Sequence, residues 1–218
     1  MLCSLPAGFI PPCLPTGAKN PPPGKDWLHE IRHDGFRVIA RKVGERVKLY
    51  SRPGNDLTRR FPLIVEAVTK LRASSCVIDG EAVACGEDGI LRFDLLLERW
   101  DIESGVFLYA LDLIELDGDD LRHHPLTVRK ATLASLFARA ARGLRLNEHI
   151  EANGVDVFNH ACKLGLEGIV SKRKQSRYRS GRSPDWIKSK NPDAPAVKRE
   201  AEEDWGKWSR RSSRQSSR

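Results

Sequence analysis

Between Trp27 and Ser51 the chain reads as three short strands in succession, with no helix among them. Trp27 to Ile31 alternates in polarity, and Asp34-Gly35 marks a turn. Phe36 to Lys42 and Arg46 to Ser51 flank a Val43-Gly44-Glu45 turn. Strands this close in sequence form a meander, so the fold opens antiparallel. Helical spacing follows over Leu57 to Ala73, with Phe61, Ile64, Val65, Val68 and Leu71 on one stripe. Cys76-Val77-Ile78 and Ala82-Val83-Ala84 are strand-like around an Asp79-Gly80-Glu81 turn, and Glu87-Asp88-Gly89 is another turn. Leu91 to Glu98 is ambiguous and fits a helix. Val106 to Glu115 is an apolar strand ending at Asp117-Gly118. Leu126 to Arg142 is a helix capped by Thr127 and stopped by Gly143, and Asp156 to Leu164 a short one stopped by Gly165. Gly168 to Lys172 and Trp186 to Lys190 are strands separated by a basic loop. Strands and helices do not alternate regularly, which disfavours a doubly wound parallel sheet. The pattern predicts an α+β domain of mostly antiparallel sheets flanked by helices.

The flanks differ from this body. Residues 1–26 are proline-rich and read as an extended arm with little regular structure. From about residue 195 the chain is charged and rich in Ser and Arg, with disorder expected past Trp208. No apolar run is long enough for a bilayer, and no basic stretch precedes the mildly apolar start, so a cytoplasmic, bacterial-type protein, or else a nuclear one, is expected. The cysteines are odd in number and lack metal-ligand spacing, which suits free thiols. Net charge is +8 but uneven. Residues 171–190 hold eight Lys/Arg against one Asp, and 205–218 hold five with no acid. A basic patch on a near-neutral body points to a polyanion, either nucleic acid or nucleotide phosphates.

Four clusters carry candidate chemistry. In Glu30-Ile31-Arg32-His33-Asp34-Gly35-Phe36-Arg37, strand alternation puts Glu30, Arg32 and Asp34 on one face, a candidate phosphate and base pocket. Asp79 and Glu81 flank a glycine and offer carboxylate oxygens of the kind magnesium takes. Glu167 to Lys172 again carries an acid and a base along one strand. Lys188 and Lys190 share a face of Trp186 to Lys190. Each cluster alone also suits a solvated strand face, and Asp-Gly pairs are commonly plain turns.

In order along the chain, however, they resemble the motifs of the covalent nucleotidyltransferases, the DNA ligases and capping enzymes. EIRHDGFR resembles the first motif, Lys-x-Asp-Gly-x-Arg, with a glutamate two residues before the lysine position. SRPGNDLT, IDGEAV, FLYALDLIELDG, LEGIVSKRK and WIKSK resemble those that follow. FIPPCLPT, PLTVRKATL and SRYRSGRSPDWIKSKN resemble the bacterial branch found in multifunctional end-joining ligases and their small stand-alone relatives. The resemblance implies an ATP-grasp-like nucleotidyltransferase domain over residues 27–194. It implies ATP and a divalent cation (magnesium or manganese) as cofactors, and DNA nicks or ends as substrate. By the resemblance, Glu30 contacts the adenine edge and Arg37 and Arg52 the ribose and phosphate side. Glu81 contacts ribose or metal, Glu167 binds metal, and Val170 packs on adenine. Lys172, Lys188 and Lys190 gather at the α-phosphate, where their charge would stabilise AMP transfer.

The sequence departs from the pattern in three places. Arg32 stands at the position of the nucleophilic lysine. A guanidinium stays protonated at any biological pH, so Arg32 is not expected to become AMP-linked. It is expected to face phosphate, or else to pair with Glu30 or a nearby acid. Lys42, the nearest lysine, is expected to stay away from the phosphate. Leu111 replaces the aromatic that stacks on adenine before Asp112, and Tyr109 shares its face as a partial substitute or a core residue. About 27 residues follow Asn191, too few for the oligonucleotide-binding barrel that family ligases carry next. That role is left to a separate DNA-binding or end-joining protein, or to a basic arm with Trp205 and Trp208. The reading is a ligase-type nucleotidyltransferase of DNA repair or recombination with its self-adenylylation in doubt. The alternative is a non-catalytic nucleotide- or DNA-binding relative.

Overall fold

Two sheets lie face to face, with helices on their outer sides. The computed structural model describes residues 8–86, 91–98, 105–138 and 142–199. The strands and helices run β1 (Cys13–Gly17), β2 (Trp27–Ile31), β3 (Phe36–Val43), β4 (Arg46–Ser51), α1 (Pro62–Thr69), β5 (Ser75–Ala84), α2 (Asp94–Glu98) and β6 (Val106–Leu116). They continue with β7 (Asp119–Asp120), α3 (Leu126–Phe137), β8 (Leu144–Leu146), β9 (His149–Ile150), α4 (Gly154–Lys163), β10 (Gly168–Arg173) and β11 (Gly181–Lys190). One sheet has the order β1-β11-β10-β2-β9. The other runs β4-β3-β5-β6-β7, with β8 also paired to β6. Pairing is antiparallel except for β1 with β11 and β6 with β8. The α+β architecture expected from the sequence is the one found.

Each layer follows from strand and helix periodicity. In the second sheet, one face buries Val38, Ala40, Leu49, Ile78 and Leu108 under α1 and α3, which contribute Ile64, Val68 and Leu133. Between the sheets lie Ile39, Val77 and Ile114 from one side and Cys13, Tyr178 and Trp186 from the other. On the far side of the first sheet, Val157 and Ala161 of α4 pack against Ile169. Ile39 faces one core while Val38 and Ala40 face the other, as the two-residue period of a strand requires.

The structure alters four local expectations. The proline-rich arm supplies β1, which pairs with β11 and places Cys13 in the core. An edge strand tolerates a proline such as Pro15, where the register also shifts. Asp79-Gly80-Glu81 is not a turn, because β5 runs straight through it. Gly80 instead marks a close approach of β6: a Cβ there would lie 2.7 Å from the Tyr109 carbonyl oxygen. The helix expected from Leu57 starts only at Pro62, because residues 56–58 fold back on β4. There Leu57 donates its N–H to the Leu49 carbonyl and Thr58 Oγ1 accepts from Leu49. Thr127 does not cap α3. The helix begins after Pro125, and the Thr127 N–H bonds the Lys174 carbonyl at 3.3 Å. The Glu87-Asp88-Gly89 turn, Cys3, Trp205 and Trp208 lie outside the described residues.

One ion pair pins α3 to the second sheet. Arg129 meets the Asp112 carboxylate with Nε and Nη2, both at 2.8 Å, and neither side chain is exposed. Its Nη1 donates to the carbonyls of His124 and Ser176 at 2.6 and 2.8 Å, so every edge of the fork is used. Removing one partner of such a pair strands the other charge in the core. Arg129→Met should therefore lower unfolding stability by about 3–5 kcal/mol in urea denaturation. Adding Asp112→Asn should recover part of the loss, and an unchanged midpoint in Arg129→Met would rule out this role.

Candidate active site

Cross-strand register builds the centre of the site. In the first sheet Glu30 pairs with Val170, and Val170 with Lys188. Directly paired residues share a face, so Glu30, Val170 and Lys188 form a row across β2, β10 and β11. This row lines a cavity of about 590 Å³. Arg32, Arg37, Arg52, Glu81, Leu111, Lys172 and Trp186 also line it, so most residues picked from sequence converge. The volume is that of a small-molecule site.

Glu30 is at the bottom of this arrangement and is 1% exposed. Its Oε1 accepts from Lys130 Nζ at 2.7 Å, and its Oε2 from Lys172 Nζ at 2.8 Å and Asn147 Nδ2 at 3.1 Å. Burial works against the carboxylate charge, but the ammonium groups of Lys130 and Lys172 outweigh it and hold Glu30 below the usual glutamate range. Burial also lowers Lys172, with Glu30 opposing and Lys130 adding. The Lys172 ammonium bonds the Leu111 carbonyl at 3.2 Å and sits 4.0 Å from the Trp186 ring centroid, a cation–π contact.

Arg37 is committed to the wall. Its Nε and Nη2 reach Asp79 at 2.6 and 2.8 Å, and Nη2 also donates to the Cys13 carbonyl at 3.1 Å. The Tyr178 hydroxyl donates to the same Asp79 carboxylate at 2.7 Å. Glu81 is 4.0 Å from Arg37 Nη1. Its carboxyl is pushed up to about 8 by burial; Arg37 opposes this, and the Glu167 carboxylate adds to it.

Arg32 takes the nearby-acid option. Its Nη2 lies 2.6 Å from Glu167 Oε1, while Glu30 goes to the lysines. The backbone fixes both partners: Arg32 N–H donates to the Gly168 carbonyl, and Asn191 N–H to the Glu167 carbonyl, each at 3.0 Å. Gly168 has φ 126°, and a Cβ there would lie 2.1 Å from the Ser189 carbonyl oxygen, so only glycine lets β10 and β11 close here. Lys42 stays away from the cavity. Its ammonium is held by the carbonyls of Thr69 and Leu71 at 2.7 and 2.5 Å.

Three expected members stand apart: the described cavity lining includes none of Lys190, Asp34 and Glu167. Lys190 is paired with Gly168 at the end of β11. Asp34 forms an ion pair with Arg199, whose guanidinium lies 4.7 Å from the ring centroid of Phe93. Nor do Glu81 and Glu167 offer an open donor set for a divalent cation as arranged, since Glu167 already holds Arg32. Among the described residues, no cluster of three or more His, Cys, Asp or Glu is placed to hold a metal. Sequence reasoning missed Lys130, Asn147 and His33. His33 stacks on Tyr109 at 3.9 Å and contacts Asn147 Oδ1 at 3.0 Å, so the Tyr109 ring is taken up by another side chain. PLTVRKATL carries more than branch resemblance, since its Arg129 and Lys130 reach the buried acids Asp112 and Glu30.

A sheet-lined cavity with a buried glutamate and converging cations suits a small anionic ligand. The family model described as ATP dependent DNA ligase domain matches residues 19–190, and the chain belongs to that family. It is 38% identical over 185 residues to the multifunctional non-homologous end joining protein LigD of Pseudomonas aeruginosa, covering 84% of this chain and 22% of that protein. It is 31% identical to the SPbeta prophage-derived DNA ligase-like protein LigB of Bacillus subtilis, covering 87% of this chain and 70% of the relative. The crystal structure of the ligase domain from M. tuberculosis LigD superposes with a TM-score of 0.73 at 30% identity, covering 83% of this chain and 60% of that one. A mycobacterial DNA ligase D complexed with ATP and MES gives 0.72 at 30% identity, with the same shares covered. The chain therefore spans about a fifth of the Pseudomonas relative.

The Glu30 cluster predicts its own energetics. Lys130→Met removes one of two ammonium groups from a buried carboxylate and should cost about 2–3 kcal/mol in chemical denaturation. Lys130→Arg should restore part of it. Wild-type stability in Lys130→Met would mean that Lys172 and Asn147 suffice.

Proposed function

We propose that this chain is the nucleotide-binding domain of an ATP-dependent DNA ligase that holds AMP and DNA nicks or ends but does not charge itself at Arg32. The observation that carries the reading is the row Glu30, Val170, Lys188, with Arg32 beside it in the same cavity. Val170 and Leu111 offer apolar surface for a base, and Glu30 the polar end that reads its edge. Arg32, Arg52 and Lys188 offer cations for phosphate. AMP transfer builds negative charge on phosphate oxygens, and fixed cations in a partly dry cavity stabilise it. Lys172 supports this less directly, because it holds Glu30. Arg37 likewise serves through Asp79.

The nucleophile is where the chemistry stops. A neutral amine attacks phosphorus, and burial among cations can bring a lysine to that state. A guanidinium cannot be neutralised this way. Magnesium, when present, arrives on the oxygens of ATP itself, since magnesium is commonly carried by substrate phosphates. Beyond the cavity, exposed Arg177, Arg179 and Arg182 on and before β11 suit a DNA backbone, whose phosphates dominate affinity. The relatives named for non-homologous end joining favour a repair role in which a further DNA-binding unit completes the grip on the ends.

Incubation with labelled ATP and magnesium should leave wild-type protein without an AMP adduct, while Arg32→Lys should acquire one. Wild-type protein should still bind AMP in calorimetry and should seal a nick that already carries AMP. An adduct on wild-type protein would overturn the block at Arg32. Loss of both AMP binding and sealing would favour a DNA-binding relative without nucleotide chemistry.

A further inference from the structure

We propose that Arg32 is the resident cation of the phosphate end of the cavity, taking the place of a divalent ion at Glu167, so that a nucleoside monophosphate binds there without metal. The proposal rests on the reading of the cavity as a nucleotide site. Its first support is the short Arg32–Glu167 contact of 2.6 Å, with side-chain exposures of only 16% and 6%. The second is that neither partner is a mobile surface group. Arg32 is tied through its N–H to Gly168, and Glu167 through its carbonyl to Asn191. The tight passage at Gly168 holds β10 against β11 between them. The third is the balance of charge nearby. Arg37, fixed by Asp79, lies 4.0 Å from Glu81, so a second guanidinium borders the expected metal pair.

Magnesium asks for a nearly octahedral oxygen shell and gives up its water reluctantly. At Glu167 it would have to displace a guanidinium from contact distance and then sit beside a charge that proton loss cannot remove. A lysine at position 32 could shed its proton and accommodate the ion; arginine cannot. The replacement at Arg32 therefore alters two things together, the attacking atom and the inventory of cations. In exchange the cavity gains a planar fork matched to phosphate oxygens.

Manganese(II) serves as a paramagnetic probe of the full-length protein without nucleotide. Wild-type protein should bind no manganese below about 1 mM by electron paramagnetic resonance. Arg32→Ala should bind it about tenfold or more tighter, and Glu167→Gln added to Arg32→Ala should abolish the gain. Calorimetry with AMP should give affinities in magnesium and in EDTA that agree within about twofold. Manganese binding by wild-type protein as tight as by Arg32→Ala would overturn the proposal. So would an AMP affinity that drops about tenfold or more in EDTA. The wild-type titrations need no variant, so an Arg32→Ala protein that fails to fold leaves the decision intact. Absence of AMP binding in both buffers would count against the nucleotide reading, while the manganese arm would still decide what Arg32 does to Glu167.

Discussion

A buried carboxylate shared by two lysines and an amide organises this molecule. Glu30 lies on β2, Lys172 on β10, Lys130 on α3, and Asn147 between β8 and β9. Four separate stretches of chain thus converge on one side chain. A charge this deep is tolerated only when its partners are in place, which makes their relative positions mutually dependent. α3 belongs to the second sheet through Arg129 and reaches the first through Lys130, the next residue in sequence. That pair of adjacent cations ties α3 to both sheets.

The same logic sorts the cations around the cavity. Arg37, Lys172 and Arg129 are each absorbed by a buried acid: Asp79, Glu30 and Asp112 respectively. They build the walls. Arg52, Lys188 and Arg32 line the cavity itself, and Arg32 also meets Glu167. A count of positive residues in the pocket therefore overstates its net charge, because much of it is already compensated.

Much of this was legible in the sequence because it depends on local rules. The β3–β4 hairpin followed from strand patterning around Gly44, and Glu30 falls on β2, whereas Arg32 and Asp34 lie past the end of that strand rather than continuing its face. The ordered motifs named most of the cavity lining. What escaped depends on long-range pairing. Nothing near Lys130 in the chain shows that its partner is Glu30, a hundred residues earlier. Asn147 sits in an unremarkable loop, and only the fold brings it to Glu30 and His33. Asp79-Gly80-Glu81 carried a turn signal that the approach of β6 overrides. The prolines of the N-terminal segment masked an edge strand, since proline is excluded from central strands but not from edges.

The placement of β1 has a consequence for the order of assembly. Cys13–Gly17 pairs in parallel with β11, so this edge of the first sheet joins segments from nearly opposite ends of the described chain. Contacts so distant in sequence form late and slowly, because loop closure must come before any gain. During synthesis the meander of β3, β4 and β5 has its partners at once, whereas β1 must wait until residues 181–188 have left the ribosome. Until then Ile10 and Cys13 have no first-sheet edge to bury against, and Leu14 and Pro15, which line the cavity, have no wall to form. The cavity is thus complete only once β11, the last of the described strands, has been made.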